Sequence, residues 1–279
     1  MLRALLGLAL LLSPFGFAPG WAEPWHLERS VVETLAAPDG HSYRIMVAWP
    51  EGEAPANGWP VLWVLDGNEN FAVAALTARR LARAGKRSGV EDGVVVAIDS
   101  GKLGRRVWDY TPDVPGYAIP EGAPAHGLPV GGADDFLDFL EERVQPMLAE
   151  HWHIDSERQA IVGHSFGGLL ALQALASGRH WTRYVAVSPS LWFGNGRLSF
   201  EPNEAARARE AGLLIAAGDR EAGPGGSMAD SARELVARLK SENMSADFLP
   251  LAGQDHGTTM LAAMGRVVAF AFGREEKVP

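Results

Sequence analysis

The chain has 279 residues, 47 % of them hydrophobic, with nine Trp, 32 Gly, 18 Pro and no Cys. That length and apolar share suit a folded domain with a sizeable core and exclude a disordered or low-complexity chain. Twenty-five Lys and Arg stand against 34 Asp and Glu, a net charge of −9, which argues against a general nucleic-acid binder, and the lack of Cys removes disulfides, thiolate metal sites and cysteine nucleophiles together.

Residues 1–22 read as a secretory signal, with Arg3 before an apolar core at 5–12 and small residues Gly20 and Ala22 flanking Trp21 at a cleavage site. Pro14, Pro19 and Gly20 interrupt the run, which is too short to cross a bilayer. We therefore expect cleavage and export, leaving 23–279 as one domain with no membrane span.

Aliphatic or β-branched runs follow at 41–49, 61–65, 94–98, 159–162, 184–187, 213–217 and 246–251. The continuous apolar runs at 61–65 and 94–98 predict strands covered on both faces. Residues 101–132 are rich in Pro and Gly, lack periodicity, and are expected to form a long functional loop. A helical stripe over 134–151 carries Phe136, Leu137, Leu140, Val144, Met147 and Leu148, with Pro146 as a kink. Further helices are predicted at 169–176, after a glycine turn, and at 231–240, where Leu235 and Leu239 repeat at i, i+4. This alternation predicts an α/β fold with a mostly parallel central sheet and helices on both faces.

Between the run at 159–162 and the next helix stands Gly163-His164-Ser165-Phe166-Gly167, followed by Gly168. A G-x-S-x-G between strand and helix is the nucleophile elbow, which lifts the serine hydroxyl above the carboxyl end of the sheet. A helix N-terminus beside it favours developing negative charge.

A serine hydroxyl needs a base, expected after the last strand in the chain order serine, acid, histidine. His256, in Gly253-Gln254-Asp255-His256-Gly257, has that position. His26 and His41 precede the core, His151 and His153 end a surface helix as weak metal candidates, and His164 is expected to pack or hydrogen-bond locally. The acid falls in Gly218-Asp219-Arg220-Glu221. Its usual placement three residues past the strand-ending glycine favours Glu221, with Asp219 as the alternative and a solvated acidic loop as the plain reading. Two backbone N–H groups should form the oxyanion hole, one from Phe166 and one from the turn Leu65-Asp66-Gly67-Asn68, for which Asn68 is the choice.

Several linked segments now point to a family. Val64-Leu65-Asp66-Gly67-Asn68, Arg106 through Tyr110-Thr111-Pro112, Gly131-Gly132-Ala133-Asp134-Asp135-Phe136-Leu137, the elbow, Ser188-Pro189-Ser190-Leu191-Trp192 and Asp255-His256-Gly257 occur in this order. Together they resemble the putative-esterase (esterase D-like) family of α/β hydrolases, and within it the periplasmic siderophore esterases. The likeness spans nearly all of the chain after residue 22. It implies a serine esterase acting on the trilactone of enterobactin-type catecholate siderophores, free or iron-loaded, with Ser165 as nucleophile and His256 as base. Some members of that branch lack a working third carboxylate, so the choice among Glu221, Asp219 and neither stays open. The resemblance implies no cofactor and no metal of the protein's own; iron would arrive with the small-molecule substrate. A general carboxylesterase or acyltransferase on short acyl esters or thioesters is the alternative within enzymes, and a non-catalytic exported binding module the alternative outside them. A ferric tris-catecholate is anionic and the chain is acidic, so local cations are needed. Lys102, Arg105 and Arg106 form the densest cluster, with a solvated basic turn in which Arg106 pairs to Asp109 or Asp113 as the alternative, and Trp192 is expected to supply an aromatic wall.

Overall fold

The continuously apolar runs become inner strands of an eight-stranded sheet. The computed structural model describes residues 24–208 and 210–274, so the proposed signal, 1–22, lies outside the described residues. In chain order the elements are β1 (Ser30–Ala36), β2 (Ser42–Ala48), β3 (Trp59–Val64), α1 (Gly67–Arg83), β4 (Val94–Asp99), α2 (Leu103–Tyr110), α3 (Ala133–Phe139), α4 (Gln145–His151), β5 (Ile154–His164) and α5 (Phe166–Ala176). They continue with β6 (Arg183–Val187), α6 (Glu204–Ala208), β7 (Gly212–Gly218), β8 (Ala222–Gly223), β9 (Gly226–Ser227), α7 (Met228–Ser241), β10 (Ser245–Leu251) and α8 (Thr259–Phe272). The sheet order is β1-β2-β4-β3-β5-β6-β7-β10. The β1–β2 and β2–β4 pairs are antiparallel and all others parallel, the mostly parallel α/β-hydrolase arrangement.

The pleat divides each inner strand between two cores. Val61 and Trp63 of β3 join one core with α2, α3, α5 and α7, while Leu62 and Val64 join the other with α1 and α8. Burying each large apolar side chain contributes roughly 1.5–3 kcal/mol. Trp63 is 1 % exposed, and its indole N–H donates to Gln159 Oε1 at 2.7 Å, so its one polar atom stays satisfied in the core.

Three local expectations change. The stretch 101–132 is not wholly a loop, because α2 occupies its first part, burying Val107 and Tyr110. The predicted helix over 134–151 is built as α3, a π-helical turn at Leu140–Val144 and α4. Pro146 has no N–H to give, and the widened turn just before it absorbs the break. The edge strand β1 and the long helices α1 and α8 were not among the expected elements.

Candidate active site

The strand-to-helix turn between β5 and α5 places Ser165 at φ 59°, ψ −115°, a sparsely populated conformation that costs on the order of 1–3 kcal/mol. Gly163 is required there, since a Cβ on it would lie 2.2 Å from the Gly167 carbonyl oxygen. The backbone is fastened from both sides: Ser165 N–H donates to Val187 at 3.0 Å, and Ser190 N–H donates to the Ser165 carbonyl at 3.1 Å.

Ser165 Oγ lies 3.0 Å from His256 Nε2, and His256 Nδ1 lies 2.8 Å from Glu221 Oε2. Strand ends bring these groups together: His256 sits between β10 and α8, and Glu221 follows β7 by three residues. Glu221 is 5 % exposed. Its other oxygen accepts from Ser188 Oγ at 2.7 Å and from Gly218 N–H at 2.5 Å. Burial pushes its carboxyl upward, but bonds from His256, Gly218 and Ser188 outweigh this and hold it below the usual carboxylate range. The ionised carboxylate is thereby poised to accept His256 Nδ1–H, leaving Nε2 free to take a proton from the hydroxyl. Asp219, the alternative acid, is turned away: its Oδ1 accepts from Gly253 N–H at 2.7 Å.

Ser188 and Ser190 are site residues that spacing arguments missed. Ser188 Oγ bonds Glu221 and stands 2.9 Å from Thr259 Oγ1, and Ser190 Oγ is 3.4 Å from Ser165 Oγ. The signal for both was the Ser-Pro-Ser segment at the carboxyl end of β6. His164 packs locally as expected, its ring 4.5 Å from that of His256. Burial, with His256 and Arg106 nearby, pushes its pKa down to about 4, so its ring is neutral at pH 7.

Phe166 and Asn68 are the first and second residues of α5 and α1, positions whose N–H groups have no partner within their helices. Phe166 lines the cavity at Ser165, whereas Asn68 does not, and its side-chain oxygen accepts from Arg44 at 2.8 Å.

The expected cation cluster is not assembled. Arg105 lies outside the cavity lining, ion-paired with Asp39 and Asp109 and bonded to the Tyr43 hydroxyl. The physical reason is Asp109, whose side chain is fully buried, so that burial lifts its carboxyl to about 6 and a guanidinium is needed beside it. Lys102 stays exposed outside the lining. Arg106 does reach the cavity, but both its Nε and Nη2 hold Asp66, at 2.5 and 2.8 Å. Trp192 forms part of the wall as expected.

The cavity has a volume of about 820 Å³ and is roofed by the 111–132 segment through Pro120, Ala123 and Pro124, with Leu103, Phe166 and Trp192 as further apolar walls. That roof is anchored by Tyr117, whose ring meets Phe193 at 4.7 Å, and is closed at its base where Ala133 N–H donates to the Thr111 carbonyl at 3.2 Å. Arg106 and Glu121 are the charged side chains of the lining, which also holds His164 and His256. Among the described residues no cluster of three or more His, Asp and Glu is arranged to hold a metal, and no helix is long and apolar enough to cross a membrane.

A family model described as "Putative esterase" matches residues 37–248. The ferri-bacillibactin esterase BesA of Bacillus subtilis is 29 % identical over 247 residues, covering 84 % of this chain and 86 % of that protein. The siderophore triacetylfusarinine C esterase of Aspergillus fumigatus is 32 % identical over 246 residues, covering 81 % and 80 %. Among solved structures, the siderophore hydrolase EstA of Aspergillus nidulans superposes with a TM-score of 0.73 at 27 % identity, covering 90 % of this chain and 97 % of that one.

Proposed function

The chain belongs to the putative-esterase family and is a carboxylic ester hydrolase, and from that premise we propose that it cleaves siderophore esters with Ser165 as nucleophile, His256 as general base and Glu221 as the carboxylate that orients the imidazole. The observation that carries this reading is the unbroken Ser165–His256–Glu221 chain of contacts at 3.0 and 2.8 Å on the wall of the 820 Å³ cavity.

His256 Nε2 takes the hydroxyl proton as Ser165 Oγ adds to the ester carbonyl. Negative charge on the carbonyl oxygen is met by the N–H of Phe166. Collapse breaks the ester C–O bond, and the imidazolium returns its proton to the departing alkoxide. Water then attacks the acyl-enzyme with His256 again as base, releasing the acid and restoring Ser165.

Our finer reading is an enterobactin-type catecholate trilactone, ferric form included, whose aromatic arms lie against Phe166 and Trp192. Arg106 reaches the cavity but its charge is taken up by Asp66, so we assign recognition of the arms to the aromatic walls. We further propose that residues 1–22 direct export to the periplasm and are removed, leaving 23–279 as the esterase domain. N-terminal sequencing of the exported protein tests this.

The deciding experiment is mass-spectrometric product analysis with the metal-free and ferric trilactone, run beside p-nitrophenyl esters and fluorophosphonate labelling. Linear serine-ester products support the siderophore reading. Turnover of short esters alone would make the protein a general esterase, and no labelling of Ser165 would make it a binding module.

A further inference from the structure

Behind Trp192 lies a second cavity of about 420 Å³, which shares Trp192, Gly223 and Met228 with the cavity at Ser165. Its size falls within the range of about 300–1,000 Å³ typical of small-molecule sites. Leu191, Leu198, Phe200 and Leu235 supply its apolar wall, and Ser231, Glu234 and Arg238 line the polar remainder. The cation that lines it, Arg238, is compensated by Glu201 at 3.0 Å and Glu242 at 3.8 Å.

The partition between the two cavities is thin. On one side stands the Trp192 indole, 5.8 Å from the Phe166 ring on the elbow helix. On the other is the β8–β9 hairpin, where a Cβ on Gly223 would lie 3.4 Å from Trp192 Cδ1 and one on Gly225 would lie 3.7 Å from Trp192 Cβ. Both are ordinary van der Waals distances, so the hairpin lies about one methyl group away from the Trp192 side chain. Both supports lead back to the reaction centre: the hairpin begins one residue after Glu221, and Trp192 follows Ser190 by two.

We infer that the cavity behind Trp192 is a second subsite for the ester bound at Ser165, taking one of its uncharged aryl or acyl arms. This rests on the siderophore reading, because a polyester with several arms must lodge its neighbouring arms while one carbonyl stands at Ser165. The apolar side chains suit a neutral ring or chain, while Glu234 and the compensated Arg238 disfavour an anionic one. The two cavities adjoin along Trp192, Gly223 and Met228, so an arm of an ester held at Ser165 reaches the second by crossing the rim of Trp192.

The test fills the subsite from two directions, by Leu198→Trp on the loop after Trp192 and by Ser231→Phe on α7. For each variant, KM for a benzoyl-armed serine trilactone should rise at least about tenfold, while kcat/KM for p-nitrophenyl acetate stays within about twofold of the parent. Far-UV circular dichroism and the thermal midpoint verify that each variant is folded. An unchanged KM in both variants, or equal losses on the two substrates, would overturn the subsite. The same variants are assayed with p-nitrophenyl 4-phenylbutanoate, whose phenyl arm reads the subsite without a siderophore. A parent protein inactive on the trilactone would overturn the siderophore reading, and a selective KM rise on the phenyl ester would still support the subsite while no rise would overturn it.

Discussion

Arg106 grips Asp66 with two parallel bonds, Nε to Oδ1 at 2.5 Å and Nη2 to Oδ2 at 2.8 Å, and the same Nη2 donates to the His164 carbonyl at 3.2 Å. One guanidinium therefore ties the turn after β3 to the residue before Ser165. Asp66 itself has φ 54°, a left-handed conformation that Asp tolerates better than most residues.

Arg106→Ala is accordingly expected to act on the framework. Leaving Asp66 unpaired should lower stability by about 2–3 kcal/mol, less than for a fully buried pair because the guanidinium is 21 % exposed. Rates on p-nitrophenyl acetate and on a siderophore ester should fall together, since the residue before Ser165 loses its tether to the turn after β3. Urea denaturation with parallel kinetics measures both. A rise in KM confined to the siderophore would instead return Arg106 to substrate binding.

Ser165→Ala should remove ester turnover while leaving the fold intact, because a methyl group fits but cannot attack. His256→Ala should cost a similar factor, on the order of 10⁴ or more, as the two act as a unit. Fluorophosphonate labelling of Ser165→Ala should vanish; retained wild-type turnover would refute the assignment.

Glu221→Gln should lose roughly 10²–10⁴-fold in kcat, whereas Asp219→Asn should lose little. The contrast follows from the contacts, since Glu221 meets His256 at 2.8 Å and Asp219 instead caps Gly253. A loss under about threefold for Glu221→Gln would reduce the machinery to Ser165 and His256.

His164 gives the protein an acid-sensitive point. Its imidazole has a reference pKa of 6.5, and in the folded chain burial brings it down to about 4. Protons taken up between these values bind the unfolded chain preferentially. The contribution of a neutral His164 is therefore complete above pH 6.5 and is lost as pH falls toward 4, by roughly 3 kcal/mol in all. His164→Phe should lose less stability than the parent between about pH 7 and about pH 4.5. Denaturant titrations at the two pH values check this, and parallel losses would contradict it.

The two elbow glycines should differ. Gly163→Ala drives a Cβ to 2.2 Å from the Gly167 carbonyl oxygen, while Gly167→Ala meets Leu65 Cδ1 at an ordinary 3.5 Å. The first should fail to fold or lose activity; the second should yield folded protein. Expression level and thermal midpoint separate them, and a normal Gly163→Ala variant would disprove the steric argument.

The elbow, the strands around it and the candidate triad were legible in the sequence because each has a local signature. Period-two or continuous apolar runs encode strands, and a G-x-S-x-G between strand and helix encodes one turn geometry. Chain order after β7 and β10 then pointed to Glu221 and His256. The side chains that support or exclude one another had no such signature. Arg105 and Arg106 are adjacent in sequence with the same charge, yet one is drawn to Asp39 and Asp109 and the other to Asp66. Only the packing of α2 against β2 and the β3 turn decides which carboxylate each guanidinium meets, because burying Asp109 obliges a cation to stay beside it. Tertiary structure alone likewise brought Ser188 to Glu221 across 33 residues, and made one indole, Trp192, the wall between two cavities. These contacts join residues distant in the chain, and their energies come from desolvation and close approach, which no periodicity in the sequence records.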